Sequence, residues 1–316
     1  MRLLGSAILL FALASPSWAG GTQGAAPFNF LFLDPHPRAA TLGGAYGAMS
    51  RDLHSLTYNP AGLAGMENSE ISFMHNEHFQ GISQDYLAWG LSNKNLAFSL
   101  NSLSFGKVQR TTLSNPSGAG LDFFAIRDWA FSVAHARQYK DGFLSLGLAG
   151  KYLQEKIDAY QAQTAALDLG FIVSLEPQQE IPVALGVSLQ NLGPSVKFQS
   201  AREELPVNLK TGLTYKPADK AILALDLNQP QRGNSTLHLG TEWQAIKFLA
   251  LRAGFNGRND ADSGLTLGFG LKHSWGGQKV EPPYEPAPKR ALLFDYAFIP
   301  YGDLGASHRI SLGLRW

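Results

Sequence analysis

Along residues 144–151, Leu144, Leu146 and Leu148 alternate with Ser145, Gly147, Ala149 and Lys151. A repeat of two puts apolar side chains on one face of an extended strand and small or polar ones on the other. The pattern returns in Val183, Leu185, Val187 and Leu189 against Ala184, Gly186, Ser188 and Gln190. It returns again in Leu237, Leu239, Thr241 and Trp243, then in Leu249, Leu251, Ala253 and Phe255, and it closes the chain in Ile310, Leu312, Leu314 and Trp316. About fourteen such segments can be read, beginning near residues 69, 83, 95, 123, 142, 163, 182, 206, 220, 235, 247, 263, 290 and 306. The chain is expected to be all-β.

What the second face contains decides between a soluble sandwich and an inside-out barrel. Soluble strands turn Lys, Glu, Thr and Arg to water, whereas here the second face is rich in Gly, Ala, Ser and Asn. In a lipid-embedded barrel the apolar face meets acyl chains, and the interior is polar or filled by protein. Glycine weakens a strand unless another backbone approaches it closely. Gly147, Gly170, Gly186, Gly212, Gly240, Gly254, Gly268 and Gly313 all take the interior parity, so the lumen is expected to be occupied.

Connection lengths agree with a transmembrane antiparallel barrel of about 14 strands, in which periplasmic turns are short and outer loops longer. "GKVQRTTLSNPSGAGLD", "NLGPSVKFQSAREEL" and "NGRNDADSG" alternate with "SNKN", "YKDG", "KPAD" and "QAIK". The proline-rich stretch 274–290 breaks this rule, and reads as a missed strand or a periplasmic arm. Trp89, Trp129, Tyr152, Tyr215, Trp243 and Trp316 sit near segment ends on the apolar parity, as an interfacial aromatic belt requires. The terminal strand ending in Trp316 has the form by which the barrel-assembly machinery recognises such proteins.

Composition narrows the setting. Only 16% of the 316 residues are charged, the formal net charge is +1, and there is no cysteine. That balance gives no electrostatic case for nucleic acid and no disulfide framework. Residues 1–19 have one Arg, an apolar run from Leu3 to Ala14 and small residues at Ser17 and Ala19, the pattern of a signal peptide. The run is too short to span a bilayer. The expected organisation is a leader (1–19), an N-terminal plug (20–66) and a barrel (67–316) in the outer membrane of a Gram-negative-type bacterium.

The plug is read from "PRAATLGGAYGAMSRDLHSLTYNPAGLAG", which is Ala- and Gly-rich and lacks the period of two. Asn59 can cap a helical turn, and Pro60 suits its first position because its missing N–H has no partner there anyway. This stretch resembles the N-terminal signature of the PorV/PorQ family, related to the fatty-acid transporter FadL, and Asn59, Pro60, Ala61 and Gly62 match that group's plug motif. "LQNLGPSVKF", "ELPVNLKTGLTY", "LRAGF" and "FDYAFIPYGDLGASHRISLGLRW" match further, so the resemblance spans nearly the whole mature chain. Arg51 and His54 depart from it, standing where relatives tend to have an acidic, Ala-rich stretch. The resemblance implies a fourteen-stranded outer-membrane barrel with an N-terminal plug.

Candidate chemistry is sparse. His75 and His78 fall on opposite strand faces, as do Ser307 and His308, which argues against a metal site and against a nucleophile with its base. No enzyme activity, metal or cofactor is expected. Lys151, Asp168, Lys210, Asp226, Glu242, Arg252, Lys272, Asp295 and Arg315 have interior parity and are expected to form ion pairs, because an unpaired charge inside a narrow barrel is costly. Asn191, Gly193, Pro194, Tyr301, Asp303 and Leu304 are assigned to outer-rim loops where a partner would dock. By resemblance to PorV, the protein serves type IX secretion, binding exported cargo proteins and secretion components at the outer membrane. By resemblance to FadL, it passes a lipid or other hydrophobic ligand beside the plug.

Overall fold

The computed structural model describes residues 27–175, 181–198, 201–276 and 290–316. The expected leader and most of the proline-rich connection lie outside the described residues.

In chain order the strands are β1 (Glu70–Glu77), β2 (Ser83–Leu91), β3 (Leu96–Gln109), β4 (Phe123–Tyr139), β5 (Leu144–Ile157), β6 (Tyr160–Ser174), β7 (Val183–Leu192) and β8 (Val196–Phe198). Then come β9 (Ala201–Glu203), β10 (Asn208–Ala218), β11 (Ala221–Pro230), β12 (Thr236–Ile246), β13 (Leu249–Asn256), β14 (Leu265–Trp275), β15 (Arg290–Pro300) and β16 (Ala306–Arg315). All except β8 and β9 form one closed barrel of 14 antiparallel strands, each beside its neighbours in sequence. Closure pairs β1 with β16, from Glu70 opposite Arg315 to Glu77 opposite His308. Every barrel strand starts within three residues of the position read from the period of two. β14 pairs directly with β15 down to Trp275 opposite Arg290, so no barrel strand was missed at the proline-rich connection.

The leucines face outward. Phe73, Leu87, Leu148, Leu239, Leu267 and Leu312 are exposed on the barrel exterior, as are all six residues of the expected aromatic belt. A closed strand barrel with an apolar outside leaves no backbone group unpaired toward lipid. This is a barrel of the outer membrane.

Residues 27–66 run inside the barrel. They form a short α-helix, α1 (Pro37–Thr41), and 3-10 turns at Asn29–Phe32, Leu53–Thr57 and Pro60–Leu63. Ala39, Leu42, Tyr46, Leu53, Leu56, Ala61 and Leu63 are fully buried. The segment starts at the outer end, where the Phe32 ring lies under Arg258 of the β13–β14 loop. It ends at the periplasmic end, where Ser69 and Trp316 exchange two backbone hydrogen bonds.

Seven of the eight interior glycines meet this segment. A Cβ at Gly147 would strike the backbone of Pro60 and Ala61, one at Gly186 the backbone of Gly47, and one at Gly254 that of Leu42 and Gly43. Gly170, Gly212, Gly240 and Gly268 are likewise covered by Asn59, Ala48, Leu42 and Thr41. Gly313 departs from the pattern and faces Leu293.

Two features were not read from the sequence. β3 to β6 run to 14, 17, 14 and 15 residues, so this side of the wall stands well above the rest. The β8–β9 hairpin leaves the wall between β7 and β10 and turns into the outer mouth, where Val196 and Leu205 pack with Phe28, Phe30, Leu103 and Leu153. A Gly147→Leu substitution would insert a side chain where plug backbone lies; overpacking of this kind costs about 1–3 kcal/mol or more. The expected outcome is a folded barrel with its interior segment loosened, seen as new protease cleavage within residues 27–66 while heat-modifiable migration on gels persists.

Candidate functional site

The site is the contact between the interior segment and the wall, and Asn59 stands at its centre. Asn59 Oδ1 accepts from the Ala61 N–H at 3.1 Å, which caps the turn at Pro60–Leu63. Its Nδ2 donates to the Gly47 carbonyl at 2.7 Å, and also reaches the Phe171 and Val187 carbonyls of β6 and β7. One amide therefore shapes the turn, joins two parts of the segment and ties both to the barrel. Ala61 is fully buried beside it, and Gly62 has no room for a Cβ against the Met49 carbonyl and Ser55.

The interior charges fall into three tiers. Nearest the outer end, Lys151 pairs with Asp168 at 2.6 Å and donates to Asn191 Oδ1 at 2.8 Å. Asn191 has a left-handed backbone (φ 61°) beside the β6–β7 register shift, and its N–H donates to Asp168. In the middle tier, Asp226 accepts from the Tyr46 and Gly47 N–H groups and pairs with Lys210, which also donates to the Gly44 carbonyl. At the periplasmic end, Arg38 of α1 grips both oxygens of Glu242 at 2.8 Å and pairs with Asp52 at 2.7 Å. Arg252 continues the chain to Glu242 and Asp295. Arg315 pairs with Glu70, which also faces His54 at 3.4 Å.

Sequence parity located the wall side of this network and missed the other half. Arg38, Asp52, His36 and His54 sit in a segment without periodicity, so nothing marked their direction. Glu70 was legible, since it opens β1 on the interior parity directly opposite Arg315. One assignment needs correction. Asn191 is not a rim residue: its side chain is buried, bonded to Lys151 and the Pro206 carbonyl, because the bulge turns it inward. Lys272 has the interior parity expected of it and is exposed at the periplasmic mouth, where it lines a cavity with Arg252 and Asp295. Gly193, Pro194, Asp303 and Leu304 are exposed at the outer end, and Tyr301 is half-buried against His78 and Phe79.

His36 and His54 stack with ring centroids 3.3 Å apart. His36 Nδ1 accepts from the Arg38 N–H, so its proton sits on Nε2, facing Ser311 Oγ at 3.2 Å. In that tautomer His36 cannot take the Ser311 proton, so the pair is not a nucleophile with its base. Burial, then His54, Arg252 and Arg38, hold the His36 pKa well below its ordinary value. Burial opposes the Asp52 charge, but Arg38 and His54 more than offset it and keep that carboxyl below its usual range.

Small cavities flank the segment. One of about 240 Å³ lies at the periplasmic end between Met49–Asp52 and the wall at Thr214 and Lys216. A second, of about 170 Å³, is lined by His54, Glu70, Arg252 and Asp295. In the outer half, a cavity of about 60 Å³ is lined by Asp34, Lys151, Lys210, His238 and Arg258. No three His, Asp or Glu side chains converge as metal ligands among the described residues.

The model of an uncharacterised protein family (UPF0164) matches residues 13–152. No curated protein matches the chain. Among solved structures, the TodX deltaS2 mutant, titled a monoaromatic hydrocarbon channel, is similar with TM-score 0.52 and 10% identity, covering 89% of this chain and 97% of that one. The TodX deltaS2S3 mutant gives 0.50 and 11% over the same shares. The Ralstonia pickettii toluene transporter TbuX gives 0.49 and 12%, also over 89% and 97%. The two TodX likenesses show the fold alone, at identities too low to carry an activity.

Two outcomes follow from the network. Arg38→Met would leave Glu242 and Asp52 without their shared partner, and breaking a buried pair costs about 3–5 kcal/mol. Faster proteolysis of residues 27–66 than in the native protein is expected. The unfolded His36 side chain protonates near pH ~6.5 while the folded one resists, so docking of the segment should be constant above that pH and weaken below it. Protease protection measured between pH 8 and pH 5 (about the range His titrates) checks this, and His36→Asn, whose side-chain oxygen can replace Nδ1 as the cap acceptor, should flatten the profile.

Proposed function

We propose that this protein is a constitutively plugged outer-membrane barrel of the PorV/PorQ type that works at its outer rim, carrying exported proteins in type IX secretion. The observation that carries this reading is the fit of residues 42–61 into the glycine rows, reinforced by the charged contacts of Asp226 and Lys210 in the middle and of Arg38 at the periplasmic end. Backbone packed against backbone leaves no slack for the segment to swing aside on each transport event. The cavities beside it, at about 60 to 240 Å³, are smaller than the ~300 Å³ or more usual for ligand sites. The exposed rim residues Gly193, Pro194, Asp303 and Leu304, with the tall β3–β6 wall, supply a surface above the lipid for cargo and secretion components. The bilayer and, through the strand ending in Trp316, the barrel-assembly machinery are the other partners.

A second reading is passage of a hydrophobic small molecule. It is favoured by the apolar cluster at the outer mouth, where Phe28, Phe30, Leu103, Leu153, Val196 and Leu205 gather with Leu31 and Ile82 packed against them. Purification from native membranes in mild detergent separates the two. Copurifying secreted protein or secretion components supports the carrier, whereas bound hydrocarbon or fatty acid with no protein partner refutes it. In planar bilayers the intact barrel should be closed, and deletion of residues 20–66 should open a steady conductance. Equal conductance before and after the deletion would remove the plug from this account.

A further inference from the structure

The outer mouth contains a pair of acids that the ion-pair tiers do not use. Asp128 of β4 stands directly opposite Glu155 of β5, and the parity of both strands turns these side chains inward. Asp128 is 5% exposed, its Oδ1 has no hydrogen-bond partner, and its neighbour on β3 is Leu103. Glu155 Oε2 accepts from the Phe28 N–H at 2.7 Å, so it holds the start of the interior segment. Glu203 of the β8–β9 hairpin is near enough to Glu155 to repel it. Among the described residues, no Lys, Arg or His lies within ion-pairing distance of Asp128 or Glu155.

Like charges directly opposite on neighbouring strands repel, and a carboxylate in an apolar cluster is costly without a counter-charge. Opposed side chains have Cβ atoms ~4.5–5.5 Å apart, a spacing from which two carboxylates can reach one ion. A hard divalent cation accepts such oxygens and completes its shell with water or backbone carbonyls. We propose that Asp128 and Glu155 hold one divalent cation, of the calcium class, at the outer mouth. The ion joins the barrel wall to the start of the interior segment through Glu155 and Phe28. Only two carboxylates touch it, which fits the weak affinity of extracellular calcium modules.

The test uses the full-length protein in detergent with calcium as the only added ligand, at constant ionic strength. Thermal unfolding should shift upward with half-saturation near ~0.1–1 mM calcium. Asp128→Asn and Glu155→Gln should each raise the half-saturating concentration about tenfold or more, the loss of one 1.4 kcal/mol step or greater. Glu67→Gln, an exposed acid at the opposite end, should leave it unchanged. Should Asp128→Asn fail to fold, Glu155→Gln alone decides. The proposal is overturned if calcium causes no shift, or an equal shift in native and substituted proteins. It is also overturned if acid in the presence of chelator gives the same stabilisation and calcium adds nothing, since the pair then shares a proton.

Discussion

A closed barrel of 14 strands encloses more space than its own inward side chains can fill, and the membrane around it forbids an open edge through which that space could be lost. Eight strands already suffice for side chains to fill the interior. This wider barrel has room for polypeptide inside, and the glycine rows set how close that polypeptide comes. At Gly147 and Gly186 the wall offers bare backbone, and Ala61 and Gly47 sit where a side chain would otherwise be. The same choice that weakens these strands as sheet makes room for a buried segment with its own hydrogen bonds.

Filling a lumen with backbone brings polar groups into a dry interior, and the tiers of charge are the response. Asp226 satisfies the N–H groups of Tyr46 and Gly47, which have no strand to pair with, and Lys210 balances its charge. Arg38 does the converse from the interior segment, bringing a cation to Glu242, whose Oε2 also accepts from Arg252 Nε. Buried pairs of this kind add little net stability over an apolar filling, but they penalise any movement that separates them. The interior segment is thus held by geometry at the glycines and by charge in its middle and at its periplasmic end.

The two ends of the barrel are chemically unlike. The periplasmic end is a lattice of Arg, Asp, Glu and a stacked histidine pair around cavities of about 170 and 240 Å³. The outer end is an apolar lid in which Phe28, Phe30, Val196 and Leu205 converge under the tall β3–β6 wall, with the Asp128 and Glu155 carboxylates set among them. The β7–β10 connection folds inward at Val196, which joins this apolar cluster, while Gly193 and Pro194 remain on the surface.

The chain's period of two was enough to establish the strands, their number, the outward leucines and the inward glycines. Side-chain direction in a strand is a local property, repeated every second residue, and needs no knowledge of distant contacts. Parity likewise picked out Lys151, Asp168, Lys210, Asp226, Glu242, Arg252 and Asp295 as interior charges. Only the closed structure decided which of them meet, because partners such as Arg38 and Glu242 are brought together by barrel closure around a segment that has no period to read. It alone turned Asn191 inward, through one extra residue at the β6–β7 bulge, and it alone set Asp128 against Glu155, since register between strands depends on turns and bulges that alternation does not encode.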